Sequence, residues 1–288
     1  MAIAQPITTP DGPRIVGDPA RGDSLMRASL FGTLHIQIDG RVLGPRDFLG
    51  VKPRQVLEVL LLARGNTVPK ERLGDLLWGE RIPRNLSATL ETYVSVLRSR
   101  LDPAGSLSRL VIRTERGAYR VPAEAVSLDL EEFDVLTRQA RGLPVAEAVP
   151  LLDRAVALVT GEVLEDEPYA AWVERIRETY RVRYIDALCA IAAARLETGD
   201  YAGAADAAET VLALDPINER GCRSLMIAYY GSDRREMALR VFGRFREELL
   251  EELGVQPAPR TVSILEAMAR HADPRSLDAL TSADELAV

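Results

Sequence analysis

Between Pro53 and Val121 the chain sets three short amphipathic segments in a row, then two β-compatible runs around an arginine-bearing turn. Few folds accommodate that order. Val56, Leu57, Leu60, Leu61 and Leu62 recur at helical spacing behind Pro53, which suits a first helical turn, and Gly65-Asn66 ends the segment. Val68-Pro69 leads into a second helix, Lys70–Trp78, with Leu73, Leu76 and Leu77 on its inner face. The loop Gly79-Glu80-Arg81-Ile82-Pro83-Arg84 joins it to a third helix, which takes Asn85 as N-cap and runs to Leu101.

At 100° per residue, Leu86, Leu90, Tyr93, Val94, Leu97 and Leu101 gather on one side of that third helix. Ala88, Thr92, Ser95 and Ser99 lie opposite, flanked by Glu91 and Arg98. Small side chains there let a helix sit deep in a major groove, with Thr92 and Ser95 near base edges and Arg98 near a guanine or a phosphate. Taken alone, the face also fits the solvated side of an ordinary core helix. Leu110–Val121 then reads as two short strands about Glu115-Arg116-Gly117, with Arg113, Arg116 and Arg120 on or beside the turn. An arginine-tipped hairpin after such a helix suits a wing pressed on a phosphate backbone or minor groove, although a hairpin of this kind can also serve solubility alone.

Net charge conceals this block. The chain carries −7, yet residues 51–121 hold 13 Lys+Arg against 7 Asp+Glu, so the remainder is strongly acidic. A basic part for phosphates joined to an acidic part for protein contacts is the division expected. Ahead of the helices, Leu30–Ile38 alternates partly with period two and turns at Asp39-Gly40, which predicts a small antiparallel sheet. The first 27 residues, rich in Pro and Gly, read as a flexible tail without the order of a secretory signal.

From Leu128 onward the sequence reads as helical. Leu130, Phe133, Leu136 and Ala140 space one helix, and Ala148, Leu151, Leu152, Ala155 and Leu158 another. A long helix is expected over Tyr169–Thr198, with Trp172, Ile176 and Tyr180 along its first half. A shift of 34 residues aligns Ala204 with Ala238 and Ala208 with Phe242, and Leu214-Asp215-Pro216 closes the first unit. Those are tetratricopeptide-like spacings, and such helix pairs bury their apolar sides only by stacking. The fold expected is mainly α with small β elements: tail 1–27, winged helix-turn-helix 28–124, all-α tetratricopeptide-like domain 125–271 and tail 272–288.

Catalytic chemistry finds no support. There is no phosphate-binding loop or dinucleotide fingerprint, and His35 and His271 are the only histidines. Cys189 and Cys222 sit in apolar helical surroundings, as expected of reduced buried thiols in a cytoplasmic protein, and with the two histidines far from both, neither a zinc cluster nor a Cys–His nucleophile can be assembled. No run of 18 apolar residues predicts a membrane span. Neither an enzyme, a cofactor nor a metal is expected.

Lys52-Pro53-Arg54-Gln55-Val56-Leu57, Leu76-Leu77-Trp78-Gly79, Thr92-Tyr93-Val94-Ser95-Val96-Leu97-Arg98 and Arg116-Gly117-Ala118-Tyr119 resemble the SARP family of actinobacterial pathway-specific activators. In the back half Ala171-Trp172-Val173-Glu174-Arg175-Ile176-Arg177-Glu178 and Glu251-Glu252-Leu253-Gly254-Val255 resemble that family's bacterial transcriptional activation domain. The resemblance covers about residues 28–270 and implies an OmpR-type winged helix with the Asn85–Leu101 helix as recognition helix. Arg84, Ser87, Ala88, Glu91, Thr92, Tyr93, Ser95, Arg98, Arg113, Arg116 and Arg120 are then the candidate DNA contacts. Gly79, Glu80, Arg81, Ile82 and Arg84 form a loop where such activators touch RNA polymerase holoenzyme, through its sigma factor and other subunits. The implied activity is activation of secondary metabolite (antibiotic) pathway genes, by copies bound as a dimer on direct repeats of double-stranded DNA. A tetratricopeptide-like interaction scaffold, or a piece of a larger multidomain regulator, are the alternatives.

Overall fold

The computed structural model describes residues 24–103, 111–274 and 276–277. Leu110, Ser106, Ser108 and most of both expected tails lie outside the described residues.

The chain opens with three antiparallel strands, β1 (Met26–Ser29), β2 (His35–Ile38) and β3 (Arg41–Leu43). Asp39 and Gly40 take φ of +47° and +70° in the β2–β3 turn, the left-handed pair that a two-residue hairpin demands. The small antiparallel sheet expected around Leu30–Ile38 and Asp39-Gly40 is present, with different strand bounds. Leu30 to Leu34 form a bend at Gly32 (φ +78°), and the first strand begins earlier, at Met26 and Arg27, residues the sequence reading left in the tail. The reason is tertiary: the amides of Leu30 and Phe31 donate to the carboxylate of Asp129 (2.8 and 2.9 Å), and Phe31 and Gly32 bridge to Val163 instead of continuing the strand.

Three helices follow: α1 (Val51–Leu62), α2 (Lys70–Trp78) and α3 (Leu86–Leu101). Asn85 caps α3 as expected, its Oδ1 accepting from the Ala88 amide at 3.1 Å. A second sheet, in the order β4-β6-β5, joins β4 (Val68–Pro69) to the hairpin of β5 (Arg113–Glu115) and β6 (Ala118–Arg120). Pairing of Val68 with Tyr119 plants the hairpin against the start of α2.

Strand β7 (Val126–Leu128) returns to the first sheet, parallel to β1 in the register Met26 with Val126. The front unit therefore extends through Leu128, past the boundary expected at residue 124. Helix α4 (Asp129–Ala140) starts there without a linker, and α5 (Val145–Ala157), α6 (Ala171–Thr198), α7 (Tyr201–Leu214), α8 (Glu219–Gly231), α9 (Arg235–Leu253) and α10 (Pro259–Ala269) complete the helical part. Ala204, Ala208 and Ala238 are fully buried, the small residues that a close helix crossing requires. Leu277, assigned to the tail, is buried in the core, and the Ala272 carbonyl accepts from the Tyr230 hydroxyl at 3.0 Å.

The two parts meet over a dense joint. Gly32 N donates to Glu162 O and Leu164 N to Leu30 O, both at 2.9 Å, while Phe31, Phe133 and Tyr180 pack edge to face with centroids 5.4–6.0 Å apart. Arg64 reaches across to Asp134 at 2.7 Å. Arg54 on α1 ion-pairs with Asp166 at 3.2 Å and with Glu167.

Candidate nucleic-acid interface

Helix α3 presents the side expected. Ser87, Ala88, Glu91, Thr92 and Ser95 are exposed, while Leu90, Val94, Leu97 and Leu101 are buried beneath them. Thr92 Oγ1 donates back to the Ala88 carbonyl at 2.9 Å, which lays its methyl toward solvent and keeps the ridge low. Arg84 is exposed just ahead of the helix. Tyr93 belongs to the flank: it is half-buried and stacks on Trp78 with rings 6.2 Å apart and 14° from parallel.

The ridge carries a small built network. Lys70 Nζ donates to Ser87 Oγ at 2.6 Å and to Glu91 Oε1 at 2.8 Å, and Ser87 Oγ donates to the same Glu91 oxygen at 3.0 Å. That bond holds Lys70 above its ordinary range and Glu91 below its own. Lys70 also lies over the Tyr119 ring at 5.5 Å, so one side chain ties α2, α3 and the hairpin together. Sequence reasoning missed it, although a signal existed. A lysine in the first turn of a helix faces the positive end of the macrodipole, so its place there calls for a partner off its own helix.

Arg98 is placed differently from the expectation of a free groove contact. Its Nε and Nη2 donate to the Ile112 carbonyl at 3.2 and 2.7 Å, and Nη2 also donates to Thr114 Oγ1 at 2.8 Å. The guanidinium fork clamps the recognition helix to the first strand of the wing. In the wing itself Arg113 pairs with Glu124 at 3.0 Å and Arg120 with Glu115 at 2.5 Å. Arg116 stands exposed at the tip, beside Gly117, whose φ of +73° makes the tight reversal.

The α2–α3 loop turns at Gly79 (φ +57°) and exposes Glu80, Arg81 and Arg84 together with Ile82, which is 42% exposed. Not all of the basic block faces outward. Lys52 donates to Gln55 at 3.0 Å and to the Leu77 carbonyl near the end of α2, and covers the Trp78 ring. With Arg54 and Arg64 turned to the helical part, the positive charge concentrates on the α3 and wing side.

Both cysteines are buried in the helical part. Burial pushes the Cys189 thiol up to about 11 and raises that of Cys222, so both stay protonated near neutral pH. Among the described residues no helix is long and apolar enough to cross a membrane.

Residues 48–121 match the family model "Transcriptional regulatory protein, C terminal", and residues 128–268 match "Bacterial transcriptional activator domain". The geometry and these matches define a winged-helix transcriptional regulator fused to a helical activator domain. The chain is 33% identical over 262 residues to Regulatory protein AfsR of Streptomyces coelicolor, covering 86% of this chain and 25% of that protein. It is 29% identical to Regulatory protein DnrI of Streptomyces peucetius, covering 86% of this chain and 93% of the relative. A solved structure, Mycobacterium tuberculosis EmbR in complex with low affinity phosphopeptide, superposes with a TM-score of 0.76 at 26% identity, covering 92% of this chain and 70% of that one. The chain belongs to the SARP family of regulators. It spans about a quarter of the length of the AfsR relatives it matches.

Proposed function

We propose that the chain is a sequence-specific DNA-binding transcriptional activator. Helix α3 enters the major groove with Ala88, Thr92 and Ser95 facing base edges, and the wing lays Arg116 on the neighbouring phosphates. Arg84 adds a phosphate contact at the helix start. Lys70, Ser87 and Glu91 fix the ridge, while Arg98 fixes the angle between helix and wing. The observation that carries this reading is the low, exposed face of α3 flanked by an arginine-tipped hairpin that Arg98 holds in place.

Two copies bind side by side on direct repeats, and the Gly79–Arg84 loop with its exposed Ile82 meets RNA polymerase holoenzyme. The genes served are those of a secondary metabolite pathway, in keeping with the family. The chain acts in the cytoplasm without cofactor, and the acidic helical domain, repelled by DNA, faces away from it.

Footprinting of the full chain on its own gene neighbourhood tests this. Two adjacent protected direct repeats are expected, and Arg116→Ala should weaken binding and lower the log–log salt slope by about one. Absence of any salt-sensitive protection would leave a protein-binding scaffold as the better reading.

A further inference from the structure

Helix α9 carries an exposed stripe that the fold leaves uncovered. Leu239, Leu250 and Leu253 are 46%, 50% and 59% exposed, and at 100° per residue they share one side with Gly243 and Arg246. Nothing lies within 4 Å of where a Gly243 side chain would begin. A different side of the helix, with Ala238, Val241, Phe245 and Leu249, is buried.

The charges on this helix work against it as an isolated element. Its arginines come first along the chain (Arg235, Arg240, Arg244, Arg246) and its last turns are acidic (Glu247, Glu248, Glu251, Glu252). Acidic side chains at a helix C-terminus oppose the macrodipole. Of the charged pairs four residues apart, three are like-charged (Arg240 with Arg244, Glu247 with Glu251, Glu248 with Glu252) and two are opposite (Glu236 with Arg240, Arg244 with Glu248). The ion pairs found among the described residues include none of these side chains.

A reversed copy of the same helix answers both features. We infer that α9 is a self-association surface, on which a second copy of this chain packs its own α9 antiparallel about a two-fold axis near the helix midpoint. In that register Leu239 meets Leu250 of the second copy, and the Arg246 stem passes over the space at Gly243. Arg240 and Arg244 face the partner's Glu247 and Glu251, and the two helix dipoles oppose. The pairing is isologous, whereas copies on direct repeats are related by translation. It is therefore a contact distinct from the side-by-side one proposed on DNA, and it is measured without DNA.

Sedimentation velocity of the full chain over a concentration series should show a monomer–dimer equilibrium that tightens as salt is lowered. Leu250→Glu should weaken it about tenfold or more, with circular dichroism unchanged. The charge arrangement gives a sharper test. R240E/R244E makes the flank all acidic and E247R/E251R makes it all basic. Each should be monomeric alone, and an equimolar mixture should dimerise. A wild-type chain that stays monomeric throughout overturns the inference, as does a dimer untouched by these substitutions or a mixture that fails to associate.

Discussion

Glu58 lies on α1, wholly buried, where the winged domain meets the loop before α6. Neither of its carboxylate oxygens has a hydrogen-bond partner. Arg54 approaches one of them at 3.2 Å, but the same guanidinium also serves Asp166 and Glu167. Burial first, and the Glu167 and Asp166 carboxylates after it, push the Glu58 carboxyl from its ordinary 4.5 to about 9. The folded chain therefore keeps at neutral pH a proton that the unfolded chain releases. Stability falls as pH rises through the window from 4.5 to about 9, because unfolding gives up that proton. At 1.36 kcal/mol per pH unit, the gap between 4.5 and neutrality corresponds to about 3 kcal/mol lost at pH 7. Glu58→Gln has the shape of the protonated acid and cannot ionise, so it should be more stable than wild type by about 3 kcal/mol at pH 7 and by about 1 kcal/mol at pH 5. Urea unfolding of both chains at pH 5, 7 and 8.5 measures the difference directly. A stability difference that does not grow with pH, or a Gln variant weaker than wild type at pH 8.5, refutes the reasoning.

Two further substitutions test the clamp and the joint. Arg98→Ala should lower DNA affinity by loosening the wing, so amide exchange at Thr114 to Tyr119 should quicken in the free protein; Arg98→Lys, lacking the fork, should restore neither. Weakened DNA binding with unchanged exchange would instead mean that Arg98 touches DNA itself. Asp129→Ala removes the acceptor for the amides of Leu30, Phe31 and Leu130 and should cost about 2–3 kcal/mol, read as a lower urea midpoint. A change within about 0.5 kcal/mol would show that the joint does not depend on this carboxylate.

What the sequence made legible is what local physics decides. Helices α2 and α3 run as their apolar spacing and the Asn85 cap require, and Asp39-Gly40 turns where its left-handed dihedrals demand. Strands β4 and β7 were invisible because each is two or three residues long and takes its partner from far along the chain. The exposed ridge of α3 was readable from its period. Arg98 was not, since the Ile112 carbonyl that fixes it belongs to another element.

Charge counting failed in a related way, and the failure bears on mechanism. A tally over the basic block treats every cation as surface, yet Lys52 is turned onto Leu77 and Trp78, while Arg54 and Arg64 cross to carboxylates of the helical domain. Removing those three from the outer face does not weaken the argument for phosphate binding; it localises it. Exposed cations of the block remain at Arg72, Arg81, Arg84 and the wing-tip Arg116, and on the α3 ridge Glu91 is paired with Lys70. On the proposed reading, a ridge whose one acid is paired leaves the surrounding cations to hold the phosphate backbone while the small side chains meet the bases. Arg54 and Arg64 do separate work: they fasten the acidic helical domain to the winged domain, and on the proposed reading its repulsion from DNA then favours an approach with α3 and wing first.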